Sequence, residues 1–281
     1  MQLGMKKSHL VIIYAALTLV LIGIAFPIVY AVGGSFKTTE DFLLGGTRIF
    51  PEVFQFDNYV KAWNQANFAR YTFNSIFFAG MSVIGTVITA SMAGYTLSRS
   101  NFPGKKFILS TFGFMLFMLG AVTLFPIFLI CKELGLLNSL WGMVIAQVAS
   151  AQPFFCILIM GYCEGITKEI DECARIDGAS FFKIYTSIIM PIITPILATA
   201  GILAFRDAWN NYMMPLAFTL SRPDLRTLTV GVVLLKDQGE GVAAWNIMMA
   251  GTVMSILPIL IVYLFLNRYF IEGLTSGAVK G

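Results

Sequence analysis

Six stretches without a single Asp, Glu, Lys or Arg divide this chain: 10–36, 71–98, 107–131, 134–163, 184–205 and 241–267. An α-helix rises about 1.5 Å per residue, so even the shortest run reaches roughly 33 Å, enough to cross the hydrocarbon core of a bilayer. A soluble core can hide one such helix, not six in succession. Composition agrees. Of 281 residues 57% are hydrophobic and only 12% charged, with mean hydropathy +0.79, whereas a soluble domain carries about 25% charged residues. Disorder, coiled coil, collagen and a small disulfide scaffold are excluded by the same figures. The expected fold is all-α, a polytopic transmembrane bundle of six spans.

Lys6 and Lys7 precede the first run, but that run outlasts the apolar core of a signal peptide and no small-x-small cleavage site closes it, so a retained helix is expected. Orientation follows the short basic segments. Lys6, Lys7, Arg99, Lys105, Lys106, Lys168, Arg175, Lys183, Arg268 and Lys280 fall on one side. That places both termini in the cytoplasm. Two longer segments, about 37–70 and 206–240, then lie outside, with turn residues such as Gly45-Gly46, Pro51 and Pro223-Asp224. The expected division is 1–70, a first span and outer segment; 71–267, a five-span core with a cytoplasmic loop at about 164–183; and 268–281, a cytoplasmic tail.

Net charge is +4 and spread along the chain, without a basic stripe, so no nucleic-acid partner is expected. His9 is the single histidine and Cys131, Cys156, Cys163 and Cys173 form no C-x-x-C pair, so no metal site is expected. Ser82, Thr86, Ala90 and Gly94 recur every four residues on one helix face. Such small residues let helix backbones approach, within the chain or against a second subunit. Pro27, Pro126, Pro153, Pro191, Pro195 and Pro258 are expected to kink their helices. Arg206 and Asp207 sit near the end of the fifth span, either as an interface pair or on a pathway. Being adjacent, they diverge by about 100° on a helix and are not expected simply to face each other.

The most polar cytoplasmic stretch is Glu164–Lys183. Thr167 is a candidate N-cap there, and Glu169 and Asp171 suit the positive end of a helix dipole. Ile166, Ile170, Cys173 and Ala174 make one apolar face, and Gly178 permits a sharp reversal. A short amphipathic helix, a turn and a helix re-entering the membrane form a docking knob.

The spacing Glu172-x-Ala174, Gly178, Ile188-x-x-Pro191 resembles the "EAA" loop of ABC-importer permeases, with Cys173 in place of the second Ala and Met190 in place of Leu. The string Ala174–Ala179 is similar to the carbohydrate branch. So are Ser35-Phe36-Lys37, Phe73-Asn74-Ser75, Ala93-Gly94-Tyr95, Phe102-Pro103-Gly104, Leu134–Leu137, Trp209-Asn210, Leu225–Leu228 and the tail from Arg268 to Gly281. The resemblance is to the smaller, six-span permease of maltose-type sugar importers in a bacterial cytoplasmic membrane.

That resemblance implies a type I importer permease fold and a set of partners: a larger sugar permease, two ATPase subunits and an extracytoplasmic solute-binding protein. The chain itself would be no enzyme and bind no cofactor, with ATP and Mg on the ATPase. Glu169, Glu172, Cys173, Ala174, Arg175, Asp177, Gly178 and Ala179 would form the coupling helix and its turn. Arg206, Asp207, Trp209, Asn210, Asn211 and Tyr212 are candidates for the sugar path, since aromatic faces and amides suit sugar rings and hydroxyls. The polar loop at about 216–243, with Lys236, Asp237, Gln238, Gly239, Glu240 and Gly241 at its tip, would meet the binding protein. Independently, no G-x-x-x-x-G-K-[ST] and no Rossmann glycine fingerprint occurs, in keeping with ATP handled in trans. A secondary transporter needs ionisable residues near the midplane or inverted repeats, and a membrane enzyme needs a nucleophile with its base. Only Arg206 and Asp207 come close to the first, no internal repeat is evident, and the carboxylates of Glu169–Asp177 are better explained as a charged docking surface.

Overall fold

The structure, a computed structural model, describes residues 7–44, 48–118, 120–238 and 243–278. Gly45-Gly46 and the last three residues of the tail lie outside these. Among the described residues every regular element is helical. Four helices are long and apolar enough to cross a membrane, and six spans result if two bent pairs each count as one. The six uncharged runs therefore map onto helices, with two of them broken.

One compact unit comprises 1–68 and 231–257. It contains α1 (Lys7–Ser35), α2 (Thr39–Leu44) and α3 (Asp57–Gln65). Within α1, Leu10, Val11, Leu19 and Ile24 are all exposed, as expected of a lipid-facing helix. Past its end the chain is tied down by polar bonds. Lys37 is fully buried, its Nζ donating to Arg48 O, and Asn58 Nδ2 donates to the Ser35 and Lys37 carbonyls at 2.9 and 2.8 Å. Asn246 Nδ2 reaches the Lys37 carbonyl at 3.1 Å and Asn58 Oδ1 at 3.3 Å. Phe36 packs on Phe54, Phe56 and Tyr59.

The second unit comprises 69–230 and 258–281. It holds most of α4 (Phe68–Arg99), then α5 (Lys105–Leu116), α6 (Gly120–Glu133) and α7 (Leu140–Glu164). α8 (Glu169–Ile176) is followed by α9 (Phe181–Ile184), a π-turn at Tyr185–Ile189, α10 (Met190–Ile192), α11 (Thr194–Trp209) and α12 (Met213–Phe218). α13 (Leu228–Leu234) and α14 (Trp245–Ala278) each run from one unit into the other.

The small-residue face of α4 is buried. A Cβ on Gly94 would lie 3.0 Å from Met160 N and 3.1 Å from Cys156 O, so any larger residue would press α4 and α7 apart by a few tenths of an ångström. Ser82, Thr86 and Ala90 are buried with it. The third uncharged run is divided into α5, which ends at Leu116, and α6, which begins at Gly120. The fifth bends by 78° at Ile193. Pro191 and Pro195 flank that bend, each lacking an N–H for the helix ladder, and the π-turn precedes it.

Where it is described, the outer segment expected at 216–243 is largely helical. Between Phe218 and Gln238 it forms a 3-10 turn at Pro223–Leu225, then α13, then a second 3-10 turn at Leu235–Gln238. Leu228, Val230, Val232 and Leu235 are buried. The uncharged string Thr227–Leu235 carries enough apolar surface to be drawn into each unit's interior.

Candidate functional site

α8 begins later than its sequence suggests. Lys168, not Thr167, precedes the first helical residue, and no side chain caps it. Glu169, Asp171 and Glu172 crowd the first turn instead, where the helix dipole favours carboxylates. The other end is closed by backbone geometry. Gly178 sits at φ +80°, its N–H donating to Arg175 O at 3.0 Å while Ala179 N–H donates to Ala174 O at 2.9 Å. This is the Schellman closure of a helix with a left-handed residue just past its end.

The buried face of α8 differs from the expected one. Asp171 and Ala174 are buried, with Ile166 and Ile170 partly so, and Cys173 is exposed. At about 100° per residue, Ile170, Ala174 and Asp171 share one arc and Cys173 falls beyond its edge. Asp171 can be buried because its charge is met. Arg99 Nε lies 2.9 Å from Asp171 Oδ2, the two side chains being 3% and 5% exposed. Tyr95 OH donates to Asp171 Oδ1 at 2.5 Å, and Arg99 Nη2 donates to the Ile166 carbonyl at 3.0 Å. Arg99 Nη1 has no hydrogen-bond partner among the described residues, so position and charge hold this guanidinium more than complete bonding does. The Tyr95 ring stacks on Phe181 and Tyr185 at 4.9 and 5.5 Å, and Tyr185 OH bonds Ser91 Oγ at 2.7 Å.

Ser91, Tyr95 and Arg99 recur every four residues, so one face of α4 holds α8 and the start of the fifth span together. Sequence reasoning missed this set, although the spacing of the three residues was there to read. The opposite surface of α8 is open. Glu169, Glu172, Cys173, Arg175 and Asp177 are exposed, Ala179 is half-buried, and Ile176 is 86% exposed. The open side of α8 is therefore charged apart from Ile176.

The candidate path residues separate. Asp207 and Asn211 line a cavity of about 460 Å³, together with Gln147, Ser150 and Phe154 of α7. Asn211 Nδ2 donates to Gln147 Oε1 at 2.9 Å, and Asn211 Oδ1 accepts from Met214 N at 3.2 Å. Arg206, Trp209, Asn210 and Tyr212 are not among its walls. Trp209 is buried, its ring stacked on Phe205 at 5.5 Å and its carbonyl accepting the Thr229 hydroxyl at 2.7 Å. Arg206 folds back on its neighbour, Nε and Nη2 reaching Asp207 Oδ1 at 3.1 and 2.8 Å. The expectation that these two do not face each other fails because the arginine side chain is long enough to turn back along the helix.

Two further strings from the sequence meet in space. Asn74 Nδ2 donates to the Asp224 and Arg226 carbonyls at 3.0 and 2.9 Å, and Ser75 Oγ accepts from Leu228 N at 2.8 Å. Arg222 bonds the Asp224 carboxylate and, with Arg70 nearby, holds it below the usual carboxylate range. Asn74→Ala is expected to cost about 1–3 kcal/mol, because two carbonyls lose their donor. Thermal unfolding in detergent measures it, and a loss below about 0.5 kcal/mol would mean that water replaces the amide.

Of the expected binding-protein loop, Lys236 is half-buried, Asp237 is exposed and Gln238 ends the second 3-10 turn. Gly239, Glu240 and Gly241 lie outside the described residues. The Lys236 carbonyl accepts from Ala244 N at 2.9 Å and so ties the two sides of this loop together.

Comparison with known proteins gives consistent matches. Residues 85–275 match the model of the family described as binding-protein-dependent transport system inner membrane component. A probable ABC transporter permease of Bacillus subtilis, YurM, is 34% identical over 96% of this chain and 88% of its own. The trehalose/maltose transport system permease MalG of Thermococcus litoralis is 32% identical, and so is the arabinooligosaccharides transport system permease AraQ of Halalkalibacterium halodurans, each covering 91% of both chains. One chain in the crystal structure of a bacterial ABC transporter that imports the acidic polysaccharide alginate superposes with a TM-score of 0.78 at 23% identity. It covers 96% of this chain and all of that one.

Proposed function

The chain belongs to the binding-protein-dependent transport system inner membrane component family, and on that premise we propose that it is one of two unlike permeases of an ATP-driven oligosaccharide importer. By family it is a permease subunit, a multi-pass membrane protein and not an enzyme. In the proposed assembly it forms half of the translocation path beside a larger permease. Two ATPase subunits bind ATP and Mg on the cytoplasmic side, one of them gripping α8, and a solute-binding protein delivers sugar from outside. The sugar class rests on relatives named for trehalose/maltose and arabinooligosaccharides. The observation that carries the reading is α8 itself: a short helix fixed to α4 by a buried ion pair, with its charged side and Ile176 uncovered.

Both termini and the Glu164–Lys183 segment face the cytoplasm in this scheme. The native cysteines offer a direct check, because Cys173 is exposed while Cys131, Cys156 and Cys163 are buried. A membrane-impermeant maleimide is expected to label Cys173 in inside-out vesicles stripped of the ATPase and not in intact cells. Labelling from outside would overturn both the topology and the docking role. Uptake of a labelled oligosaccharide retained by the binding protein must also cease without ATP; uptake that continues would mark a secondary transporter.

The loop between Lys236 and Ala244 is proposed to contact the binding protein. Replacing 237–242 by a short Gly-Ser linker is expected to lower uptake about tenfold while the ATPase still co-purifies, since a few lost interface contacts amount to 1–2 kcal/mol. Undiminished uptake removes the loop from the mechanism.

A further inference from the structure

We propose that α3 is an interfacial helix. Its Phe56, Val60 and Trp63 face lies in the lipid headgroup zone at the level where α1 leaves the membrane. The occupant of that face is phospholipid of the leaflet at which α1 ends, the outer one in the topology above. The proposal uses the membrane-spanning reading alone and does not depend on what is transported.

Seen down its axis, α3 with its two caps has three faces. At about 100° per residue, Asn58, Ala62 and Ala66 fall on one arc, and all three are buried. Asp57, Lys61, Asn64 and Gln65 fall on a second arc and are exposed, with Lys61 Nζ 2.8 Å from Asp57 Oδ2. Phe56, Val60 and Trp63 make a third arc about 60° wide. They are 68%, 57% and 48% exposed, and Phe54, also exposed, stacks beside Phe56. A helix that only shields a core has one apolar and one polar face. Here the buried arc, the bare apolar arc and the wet arc are distinct, as in helices that lie in the membrane plane with their charges in water.

Hydrogen bonds fix the depth of the apolar arc. Tyr59 OH and Ser35 Oγ are 2.8 Å apart, and Asn58 Nδ2 donates to the Ser35 carbonyl, so α3 starts where α1 ends. The apolar stretch Leu10–Ser35 has 26 residues. As helix it is about 39 Å long against a hydrocarbon core of about 30 Å, which puts Ser35 among the headgroups. Trp and Tyr are enriched at that level.

The arc is also continuous with the lipid-facing surface of α1. Val20, Ile24 and Ile28 of α1 are exposed, and Phe36, the residue after that helix, packs edge-on against Phe54 and Phe56 at 5.4 and 5.2 Å. A protein partner fits less well. Helices associate in lipid through small residues, and the exposed arc of α3 has none.

Quenching of Trp63 fluorescence tests the placement in the assembled protein. The purified full assembly is reconstituted in nanodiscs of equal parts phosphatidylcholine and phosphatidylglycerol, the former brominated near the headgroup end of its acyl chains, near their methyl end, or not at all. The same series with Trp63→Phe is subtracted, so that the other tryptophans cancel. Trp63 emission is expected to fall at least about twofold with the shallow bromine and less with the deep one. Val60→Asp, an exposed change that leaves the buried arc intact, should cut the shallow quenching about twofold, and Asn64→Asp on the wet arc should leave it unchanged. Stronger quenching by the deep bromine overturns the proposal, because Trp63 would then lie in hydrocarbon. Quenching by aqueous acrylamide alone would place α3 in water, and quenching by neither agent would place it against a protein partner; both overturn the proposal. A shallow signal that Val60→Asp leaves unchanged overturns this face as the anchor. Absence of sugar uptake by the same preparation would remove the importer reading and leave the placement of α3 standing.

Discussion

Arg99→Ala is expected to reduce ATP-driven uptake to background and to destabilise the chain markedly. Removing one partner of a buried ion pair leaves the other charge uncompensated, at about 3–5 kcal/mol. Asp171 would be that stranded charge, and the Ile166 carbonyl would lose its donor as well. Loss of fold and loss of function can be told apart. Replacing a buried pair by apolar residues of similar volume is often neutral for stability. The double change Arg99→Met with Asp171→Leu should therefore recover most of the thermal stability and little of the uptake, because the charge contact that sets the pose of α8 is gone. Tyr95→Phe should fall between, losing one bond to Asp171 and keeping the ring stack. Uptake within twofold of normal for Arg99→Ala would show that the pose of α8 does not depend on this contact.

Gly178→Val is expected to uncouple the permease from its ATPase through the backbone alone. A Cβ at Gly178 meets nothing within 4 Å, so no clash is involved. Its φ of +80° is the obstacle, costing a β-branched residue about 1–3 kcal/mol. The two hydrogen bonds that end α8 depend on that conformation. Gly178→Asn should retain most activity, since asparagine tolerates the left-handed region. Glu172→Lys attacks the same event from the surface: the residue is exposed on the open side of α8, and reversing its charge should weaken ATPase association about tenfold or more. Pull-down of the ATPase and vesicle transport read both effects. Full coupling in the Val and Lys variants together would remove α8 from the mechanism.

The spans were legible because charge is so costly in hydrocarbon that six apolar runs have almost no other use. Where each run would break was only half legible. Pro191 and Pro195 pointed to the fifth-span bend, but Pro27 and Pro258 are equally prominent and lie inside continuous helices. Gly178 was legible because left-handed backbone has few other occupants. The α8 face was misjudged at one position: an apolar-periodicity argument prefers Cys173 to Asp171, and it cannot see that Arg99, 72 positions earlier, supplies the missing charge. α13 was hidden by its charged flanks, Arg226 and Lys236, which made the whole stretch look like loop. Trp209 and Asn211 stood two residues apart in one polar string, yet a helix end sends one inward and the other to a cavity wall.

The amide contacts at Asn58 bear on how the chain is made. Asn58 can bond the Ser35 and Lys37 carbonyls soon after it leaves the ribosome, but its own side-chain oxygen receives Asn246, 188 positions later. At about 5–20 residues per second, that partner arrives roughly 10–40 s afterwards. Through that interval the first helix and the segment behind it lack the Asn246 contacts to the Lys37 carbonyl and to Asn58. The nascent chain is then exposed to quality-control proteases at a defined stage, and truncations that end before Asn246 should be cleared from the membrane far faster than those that end after it.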